Sequence, residues 1–316
     1  MINPRQASTL FNQLVHPMEI EPFLSMPNVW IGDDTVQANG SFKIRGALHA
    51  QIQAIDRDPL ALDNGVFCPS AGNAAQGAAL AASQLGAKAF IFMPQSAPRG
   101  KIEAVESFGG VVTLVPGTVD NAVHAAQEAC ASKAGYFLHP FDDMDVIDGQ
   151  ASLGYEIAAS DHQFDAVFLP VGGGGLLAGV CKALASQNSQ TKVYGVQLQG
   201  CDAFAQSVDA GHSVTLDQIN SLADGTAVKT AGTLTLRLVL NSPNFGGMIR
   251  VTPHELGCAL SELDIFTSIT AETAAGLSLA GLKKHRHHTK DTAGHHLALI
   301  TGKHRDPARY RQLLAA

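Results

Sequence analysis

The sequence is poor in several features that mark whole classes of proteins. Its five cysteines are scattered without a C-x-x-C pair, and such an odd, unclustered set is typical of reduced thiols in a cytoplasmic protein. Charged residues make up only 16% of the chain and the formal net charge is −7, which argues against a basic surface for nucleic acid. No apolar run is long enough to span a bilayer, and the N-terminus has no signal-peptide core. We therefore expect a soluble, cytoplasmic protein that binds neither nucleic acid nor membrane.

Apolar residues, in contrast, are abundant and regularly spaced. They make up 46% of the 316 residues, enough for a large core divided into two lobes. From about residue 65 onward, short apolar runs alternate with alanine-rich amphipathic segments. The runs that precede a helical stretch are "GVFC", "AKAFIFMP", "VVTLV", "DAVFLPV" and "KVYGVQL". This alternation predicts an α/β fold with two mostly parallel, twisted sheets flanked by helices.

The run "VGGGGLLAGV", residues 171–180, follows an apolar run and begins a helical one. Because glycine has no Cβ, four glycines in succession let backbone N–H groups converge on an anion at a helix N-terminus. One or two glycines would be enough for an ordinary strand-to-helix turn. The run therefore favours a phosphate-binding turn.

A nucleotide is not the phosphate compound that this turn is expected to bind. The residues from Gly173 to Ala178 match the G-x-G-x-x-A dinucleotide pattern, but the next apolar run ends in Gln197 and Gln199 instead of the acid that would hold a ribose. A P-loop lysine followed by Ser or Thr is also lacking. A nucleotide-binding oxidoreductase is thus the weaker interpretation, and a smaller phosphorylated ligand is favoured.

The stretch "NGSFKIRGA", residues 39–47, places Lys43 where a helix is about to begin. The positive end of the helix dipole disfavours an ammonium group at this position. Either Lys43 is a solvated surface lysine that tolerates a small penalty, or the position favours the neutral amine. A neutral lysine amine is a nucleophile that forms a Schiff base with an aldehyde.

The amine of Lys43 could bond an aldehyde, and the glycine turn could bind a phosphate. Pyridoxal 5′-phosphate (PLP) carries both groups, so the two features together suggest this cofactor. Further motifs follow in a fixed order: "NGSFKIRGA", "SAGNAAQG", "MPQSAPRGKIEAVESFGG", "HPFDD", "GQAS", "VGGGGL", "ADG" and "LITG". In these motifs the sequence resembles the fold-type II PLP enzymes, which share the tryptophan synthase β-like fold. Among them it is most similar to the threonine/serine dehydratases and serine racemases.

The resemblance implies roles for the matching residues. Lys43 would bond the cofactor aldehyde and later move the α-proton of the substrate. Three side chains would contact other parts of the cofactor: Phe42 beside it, Asn73 at its phenolic oxygen and Thr301 at its pyridine nitrogen. The phosphate would be held by backbone N–H groups of Gly172, Gly173, Gly174, Gly175 and Leu176. The substrate carboxylate would be bound by the loop Ser70, Ala71, Gly72, Asn73 and Ala74.

The reaction that this set implies is elimination. A hydroxyl such as that of Thr301 is a weak donor that leaves the pyridine nitrogen unprotonated, so the ring is a poorer electron sink than it would be beside an aspartate. Prompt loss of a β-leaving group is then favoured over transamination. The expected activity is that of an ammonia-lyase that dehydrates and deaminates L-threonine, L-serine or a related β-hydroxy amino acid to a 2-oxo acid and ammonia.

Some positions depart from the family pattern. Racemases of the family tend to have a serine where this chain has Ala71, and a methyl group cannot act as a second acid or base; a racemase is therefore the alternative. Gln197 and Ala203 replace acidic ligands of the family's divalent-metal site, and an amide is a poorer ligand than a carboxylate, so no metal is expected. Ala74 replaces a histidine, and "TGKH", residues 301–304, replaces "SGGN"; both changes are expected to alter the substrate site.

A non-catalytic relative that binds PLP or an amino acid is a further alternative, although the lysine and the glycines that it would lose are present. The expected organisation is a large cofactor-binding domain of residues 1–54 and 144–316 with a small substrate-loop domain of residues 55–143. The resemblance implies a homodimer. The histidine-rich segment 283–296 is interpreted as a solvated loop, with metal binding by its histidines as the weaker alternative. Because the chain ends soon after its last apolar run, we expect no regulatory domain and no feedback control by isoleucine through one.

Overall fold

The computed structural model describes residues 4–219 and 221–315, which form two compact units. The first unit comprises the chain up to His16 and Gln37–Gly149. The second unit comprises Pro17–Val36 and the chain from Gln150 onward. Residues Pro17–Val36 thus belong to the second unit, although most of the first unit lies between them and the rest of the second unit in sequence.

The helices and strands are numbered in chain order. The elements from the N-terminus to residue 137 are α1 (Pro4–Leu14), β1 (Glu19–Pro22), β2 (Val29–Asp33), α2 (Lys43–Arg57), β3 (Val66–Pro69), α3 (Asn73–Gln84), β4 (Ala89–Pro94), α4 (Arg99–Ser107), β5 (Gly110–Val115), α5 (Val119–Lys133) and β6 (Tyr136–Phe137). They are followed by α6 (Met144–Ala158), β7 (Ala166–Pro170), α7 (Gly175–Ser186), β8 (Lys192–Leu198), α8 (Ala203–Ala210), a 3-10 turn (Asp224–Thr226), α9 (Thr233–Leu240), β9 (Phe245–Val251), α10 (Pro253–Phe266), α11 (Leu277–Thr289), β10 (His296–Ile300) and α12 (Pro307–Leu314). Within the described part of the chain, no helix has both the length and the apolar character needed to cross a membrane.

The first unit contains a parallel sheet in the order β5–β4–β3–β6. The strand β3 is buried along its whole length, as its continuous apolar run predicts. Apolar side chains of α2 and α3, such as Leu48 and Ala78, pack in the same core as Ile91 of β4. The parallel strands and intervening helices predicted for this region are confirmed.

The second unit contains a larger sheet in the order β1–β2–β10–β7–β8–β9. The edge strand β1 is antiparallel to β2, and the other neighbouring pairs are parallel. The strands β7 and β10 are buried throughout and lie side by side. This arrangement brings the carboxyl ends of β7, β8 and β10 to the same edge of the sheet.

The domain boundaries expected from the sequence, 54/55 and 143/144, differ from the observed division. They place most of α2 in the cofactor-binding domain with residues 144–316. In the structure α2 belongs to the first unit, where it packs against α3. The buried Gln51 side chain, for example, donates from Nε2 to the carbonyl oxygen of Ala78 at 3.2 Å.

The interpretation of residues 283–296 as a loop is wrong for the first half of that segment. The helix α11 continues through it to Thr289 and ends where Lys290 adopts a left-handed conformation. Arg286 is only 5% exposed and donates to the carbonyl oxygens of Pro27 and Thr292, each at 2.8 Å. The segment therefore begins as a helix with one buried, paired arginine.

Thr252 and Glu255 cap the N-terminus of α10. The Thr252 hydroxyl accepts a hydrogen bond from the Glu255 N–H at 3.1 Å, and the Glu255 carboxylate accepts one from the Thr252 N–H at 2.7 Å. Because the pair satisfies two N–H groups at this helix start, we expect Thr252→Ala to lower the unfolding free energy of the second unit by about 1 kcal/mol. Denaturant unfolding followed by circular dichroism would measure the change.

The matched control is Thr292→Ala, because the side chain of Thr292 is exposed. It should change the unfolding free energy by less than about 0.5 kcal/mol. Equal stability of Thr252→Ala and the wild type would contradict the capping role.

Candidate active site

Lys43 is the first residue of α2, so the predicted helix start is confirmed. The two buried side chains that precede it form a local hydrogen-bonded turn. Asn39 donates from Nδ2 to the Ser41 hydroxyl at 3.0 Å and accepts from the Ser41 N–H at 3.4 Å. The first turn of α2 contains no acidic residue. The path of the chain into this helix is thus fixed by neutral groups.

The amine of Lys43 is held by the first unit. The side chain is half-buried, and Nζ donates to the carbonyl oxygen of Pro140 at 3.3 Å. The same nitrogen lies 4.9 Å from the ring centroid of Phe42. Pro140 follows β6, so the amine lies near the carboxyl end of a sheet strand. A fully solvated surface lysine is not what the structure shows.

Gly77 allows α3 to lie directly against the start of α2. A Cβ at position 77 would be 3.1 Å from both the carbonyl carbon and the carbonyl oxygen of Lys43. Any larger residue would therefore push the two helices apart at the candidate catalytic lysine. The backbone of Lys43 is positioned by this close approach as well as by its own helix.

The predicted substrate loop, residues 70–74, connects β3 to α3. The Ser70 hydroxyl accepts from the Gly72 N–H at 3.2 Å, and α3 begins at Asn73. Every residue of the loop is partly exposed. The first N–H groups of a helix have no intrahelical acceptor and favour an anion, so this helix start is suited to a carboxylate.

His139 is a neighbour of Lys43 that the sequence analysis did not single out. Its Nδ1 accepts from the N–H groups of Phe141 at 3.3 Å and Asp142 at 2.8 Å, which requires a neutral ring with its proton on Nε2. Burial lowers the pKa of His139, and the charge of Lys43 lowers it further, against the raising effect of Asp142 and Asp143. The sequence feature that could have indicated His139 is its position after a short apolar run and before two aspartates, Asp142 and Asp143.

Cys68, near the end of β3, is a second group whose pKa is affected by the charge of Lys43. Burial raises the pKa of this thiol to about 12, and the nearby lysine opposes the rise only in part. The thiol therefore stays protonated near neutral pH and does not compete as a nucleophile.

In the second unit, residues 172–175 form the turn between β7 and α7. Gly174 has a φ of +98°, and a Cβ there would overlap the ring of Phe204 and lie 2.8 Å from the Thr235 hydroxyl oxygen. A Cβ on Gly172 would lie 3.1 Å from Cγ2 of Val228. The turn thus depends on glycine both for its backbone conformation and for the space around it.

This turn fits a phosphate group. Gly175 and Leu176 open α7, whose first N–H groups have no acceptor within the helix, and the turn itself adds no acidic side chain. The absence of Cβ atoms leaves the backbone accessible to an anion. These backbone groups are suited to a phosphate, and their role in binding one stays a prediction.

Thr301 lies at the same sheet edge as the glycine turn. It directly follows β10, which pairs with β7, and is only 1% exposed. Beside it, the N–H of Glu272 donates to the Gly302 carbonyl oxygen at 2.9 Å, and a Cβ on Gly302 would lie 2.6 Å from Oε1 of Glu272. The second unit therefore gathers the glycine turn, Thr301 and Glu272 at the carboxyl ends of neighbouring strands.

The position expected to have lost a metal ligand, Gln197, is buried and engaged with protein groups. Its Oε1 accepts from the Ala205 N–H at 2.8 Å. Among residues 4–219 and 221–315, no cluster of three or more His, Cys, Asp or Glu side chains is arranged to hold a metal ion. The loss of the metal site stays a prediction from the sequence.

Known proteins match most of this chain. A family model described as pyridoxal-phosphate dependent enzyme matches residues 12–302. The biosynthetic L-threonine dehydratase of Bacillus subtilis is 35% identical over 290 residues, which cover 90% of this chain and 67% of that protein. Other biosynthetic threonine dehydratases are 39 or 40% identical over only 49% of their own length, so the chain spans about half of those relatives.

Solved structures show the same fold. The processed form of threonine deaminase isoform 2 from Solanum lycopersicum has a TM-score of 0.90 and 30% identity, covering 96% of this chain and 84% of that one. Serine racemase from Dictyostelium discoideum has a TM-score of 0.84 and 27% identity, covering 96% and 97% of the two chains. The match over residues 12–302 confirms both the fold and the cofactor predicted from the motifs. The chain belongs to the pyridoxal-phosphate dependent enzymes.

Proposed function

We propose that this PLP-dependent enzyme is an ammonia-lyase that dehydrates and deaminates L-threonine, L-serine or a related β-hydroxy amino acid to a 2-oxo acid and ammonia. The relatives with 35–40% identity are threonine dehydratases, and a threonine deaminase has a closely similar structure. The observation that carries the proposal is the half-buried Lys43 at the start of α2, with its amine on the Pro140 carbonyl oxygen.

The roles proposed for the residues follow from their chemistry. Lys43 would bond the aldehyde of PLP through Nζ, and the backbone N–H groups of residues 172–176 would hold its phosphate. Phe42 would pack beside the cofactor, and Asn73 would donate to its phenolic oxygen. When bound, PLP withdraws electrons from the α-carbon of the amino acid and so acidifies the α-proton.

The steps proposed for the protein itself are binding and proton transfer. The N–H groups of the loop 70–74, at the start of α3, would bind the substrate carboxylate and fix the orientation of the α-carbon. The freed amine of Lys43 would then act as the general base at the α-proton. The hydroxyl of Thr301, as a weak donor to the pyridine nitrogen, would favour loss of the β-hydroxyl over transamination.

Two alternatives remain within the family. A racemase would need a second acid or base on the opposite face of the substrate, and Ala71 offers only a methyl group in the substrate loop. A non-catalytic relative would not need the amine of Lys43 as a base, and one that binds only an amino acid would not need the four glycines; the chain has both. The presence of the lysine and the alanine together therefore favours elimination.

Assembly and location are proposed with the function. We infer that the enzyme is a cytoplasmic homodimer. Large apolar side chains on the surface of the second unit, Leu24, Ile265 and Phe266, support an interaction between copies, because exposed apolar patches mark association surfaces. Five free cysteines, of which only Cys258 is exposed, support a reducing compartment.

Lys43→Ala should reduce elimination at least about a thousandfold, because it removes both the group that bonds the cofactor and the general base. Release of 2-oxo acid from L-threonine and from L-serine would measure the loss. The wild type should also show an imine absorption band that borohydride abolishes, with the label recovered on Lys43. Lys88→Ala, which changes an exposed lysine of the same unit, should retain activity. Substantial elimination by a correctly folded Lys43→Ala variant would contradict the proposed role.

Ala71→Ser should raise racemisation of L-serine relative to elimination, because the new hydroxyl provides an acid or base that the methyl group does not. The measurement is the ratio of D-serine to pyruvate formed by the same preparation. Ala87→Ser is the control, since Ala71 and Ala87 are both partly buried against the same core at opposite ends of α3. An unchanged ratio in Ala71→Ser would remove this explanation of the reaction preference.

A further inference from the structure

Two side chains from outside the glycine turn hold its backbone. They are Gln197 on β8 and Thr235 in the first turn of α9, and both are fully buried. Each contacts a different carbonyl oxygen of the segment 171–174. From the sequence, Gln197 stands out only as a replacement for an acid that would hold a ribose or a metal, and Thr235 does not stand out at all.

Gln197 fixes the first of these carbonyl groups. Its Nε2 donates to the Val171 carbonyl oxygen at 3.1 Å, while its Oε1 accepts from the Ala205 N–H at 2.8 Å. The reversed amide would place its NH2 group against another donor and its oxygen against another acceptor, so these two bonds define its orientation. The amide therefore links the end of β7 to the start of α8.

Thr235 fixes the second carbonyl group. Its hydroxyl oxygen lies 2.7 Å from the Gly173 carbonyl oxygen and 3.1 Å from that of Gly232 in its own helix turn. The hydroxyl has one proton, which the shorter contact directs to Gly173. The N–H of Gly232 also donates to the Gly173 oxygen, at 3.3 Å.

The consequence for the turn follows from the geometry of the peptide group. In a planar trans peptide, the N–H points opposite to the carbonyl group of the preceding residue. Holding the Val171 carbonyl thus directs the N–H of Gly172, and holding the Gly173 carbonyl directs the N–H of Gly174. Four consecutive glycines would otherwise leave these directions poorly defined, because glycine has the widest conformational freedom.

We propose that Gln197 and Thr235 are positioning residues that orient the N–H groups of Gly172 and Gly174 for the phosphate of PLP before the cofactor binds. This inference rests on the proposed role of the turn in holding that phosphate. N–H groups that are already oriented lose little conformational entropy when the phosphate binds. The two side chains therefore increase the affinity for PLP without contacting it.

The identity of residue 197 supports this role. A glutamate of the same shape would still accept from the Ala205 N–H, but a carboxylate has no proton to donate to the Val171 carbonyl oxygen. It would also place a buried negative charge against Val171, the residue that directly precedes the proposed phosphate-binding turn. Glutamine provides the donor without the charge.

The test compares the affinity of the apo-protein for PLP with its affinity for pyridoxal, which has the same aldehyde and ring but no phosphate. The variants are Thr235→Val and Gln197→Glu, with Thr235→Ser to restore the hydroxyl. The ratio of the two dissociation constants, measured by fluorescence titration, isolates the contribution of the phosphate within each variant. Thermal unfolding of the apo-proteins reports any structural loss separately.

Thr235→Val should weaken PLP binding about three- to tenfold and leave pyridoxal binding unchanged, with Thr235→Ser close to the wild type. Gln197→Glu should have an effect in the same direction and at least as large. Thr191→Val is the matched control, because its buried hydroxyl also donates to a carbonyl oxygen of the second unit, that of Phe164 at 2.7 Å, before β7 instead of after it. It should leave the ratio unchanged.

Two different failures are distinguishable. If the wild type prefers PLP over pyridoxal and Thr235→Val and Gln197→Glu keep the same preference, the positioning role is wrong while the proposed function stands. If the wild type itself binds both compounds equally, the glycine turn does not hold the phosphate, and the site assignment in the proposed function fails with it. A loss of affinity for both compounds in equal proportion would indicate a structural effect and would also overturn the positioning role.

Discussion

Parallel pairing of strands is the constraint on which both candidate half-sites depend. In a parallel sheet every strand delivers its following loop to the same edge, so residues far apart in sequence meet without specific contacts between them. In the first unit this edge receives the loop after β3 and the Pro140 carbonyl after β6. In the second unit it receives the glycine turn after β7 and Thr301 after β10. Helices that begin at these loops add oriented N–H groups.

Neutral side chains hold the backbone at two loops, the approach to Lys43 and the glycine turn. Asn39 and Ser41 fix the approach to Lys43, and His139 accepts two backbone hydrogen bonds beside it as an uncharged ring. An amide and a hydroxyl hold the backbone of the glycine turn. Neutral donors and acceptors set a backbone conformation without adding a charge that competes with the lysine or repels an anion.

Local patterns in the sequence predicted the strands β3, β4, β5, β7 and β8 from their short apolar runs. Of these, β3 and β7 are buried throughout, whereas β5 is buried only at its first residue. The glycine turn and the helix start at Lys43 were also readable, since glycine and helix-start chemistry act over a few residues. The membership of α2 in the first unit was not readable, because it depends on the packing of α2 against α3 and not on a pattern within α2 itself. The continuation of α11 through the histidines and lysines was also not predicted. These residues show no helical pattern of their own, and the helix is stabilised by the buried residues of its first half. Thr235 belongs to no motif, and only its burial and its distance to Gly173 reveal it.

The position of β10 between β2 and β7 affects how the chain is made. The strands of the first unit lie within one continuous stretch, so their sheet can form while the ribosome is still translating the remainder. The larger sheet has to wait, because β10 lies between β2 and β7 but follows every other strand of that sheet in sequence. Until then β2 and β7 present open edges, which are templates for pairing with other nascent chains. Late insertion of one strand therefore leaves these two edges unpaired while the rest of the second unit is being synthesised.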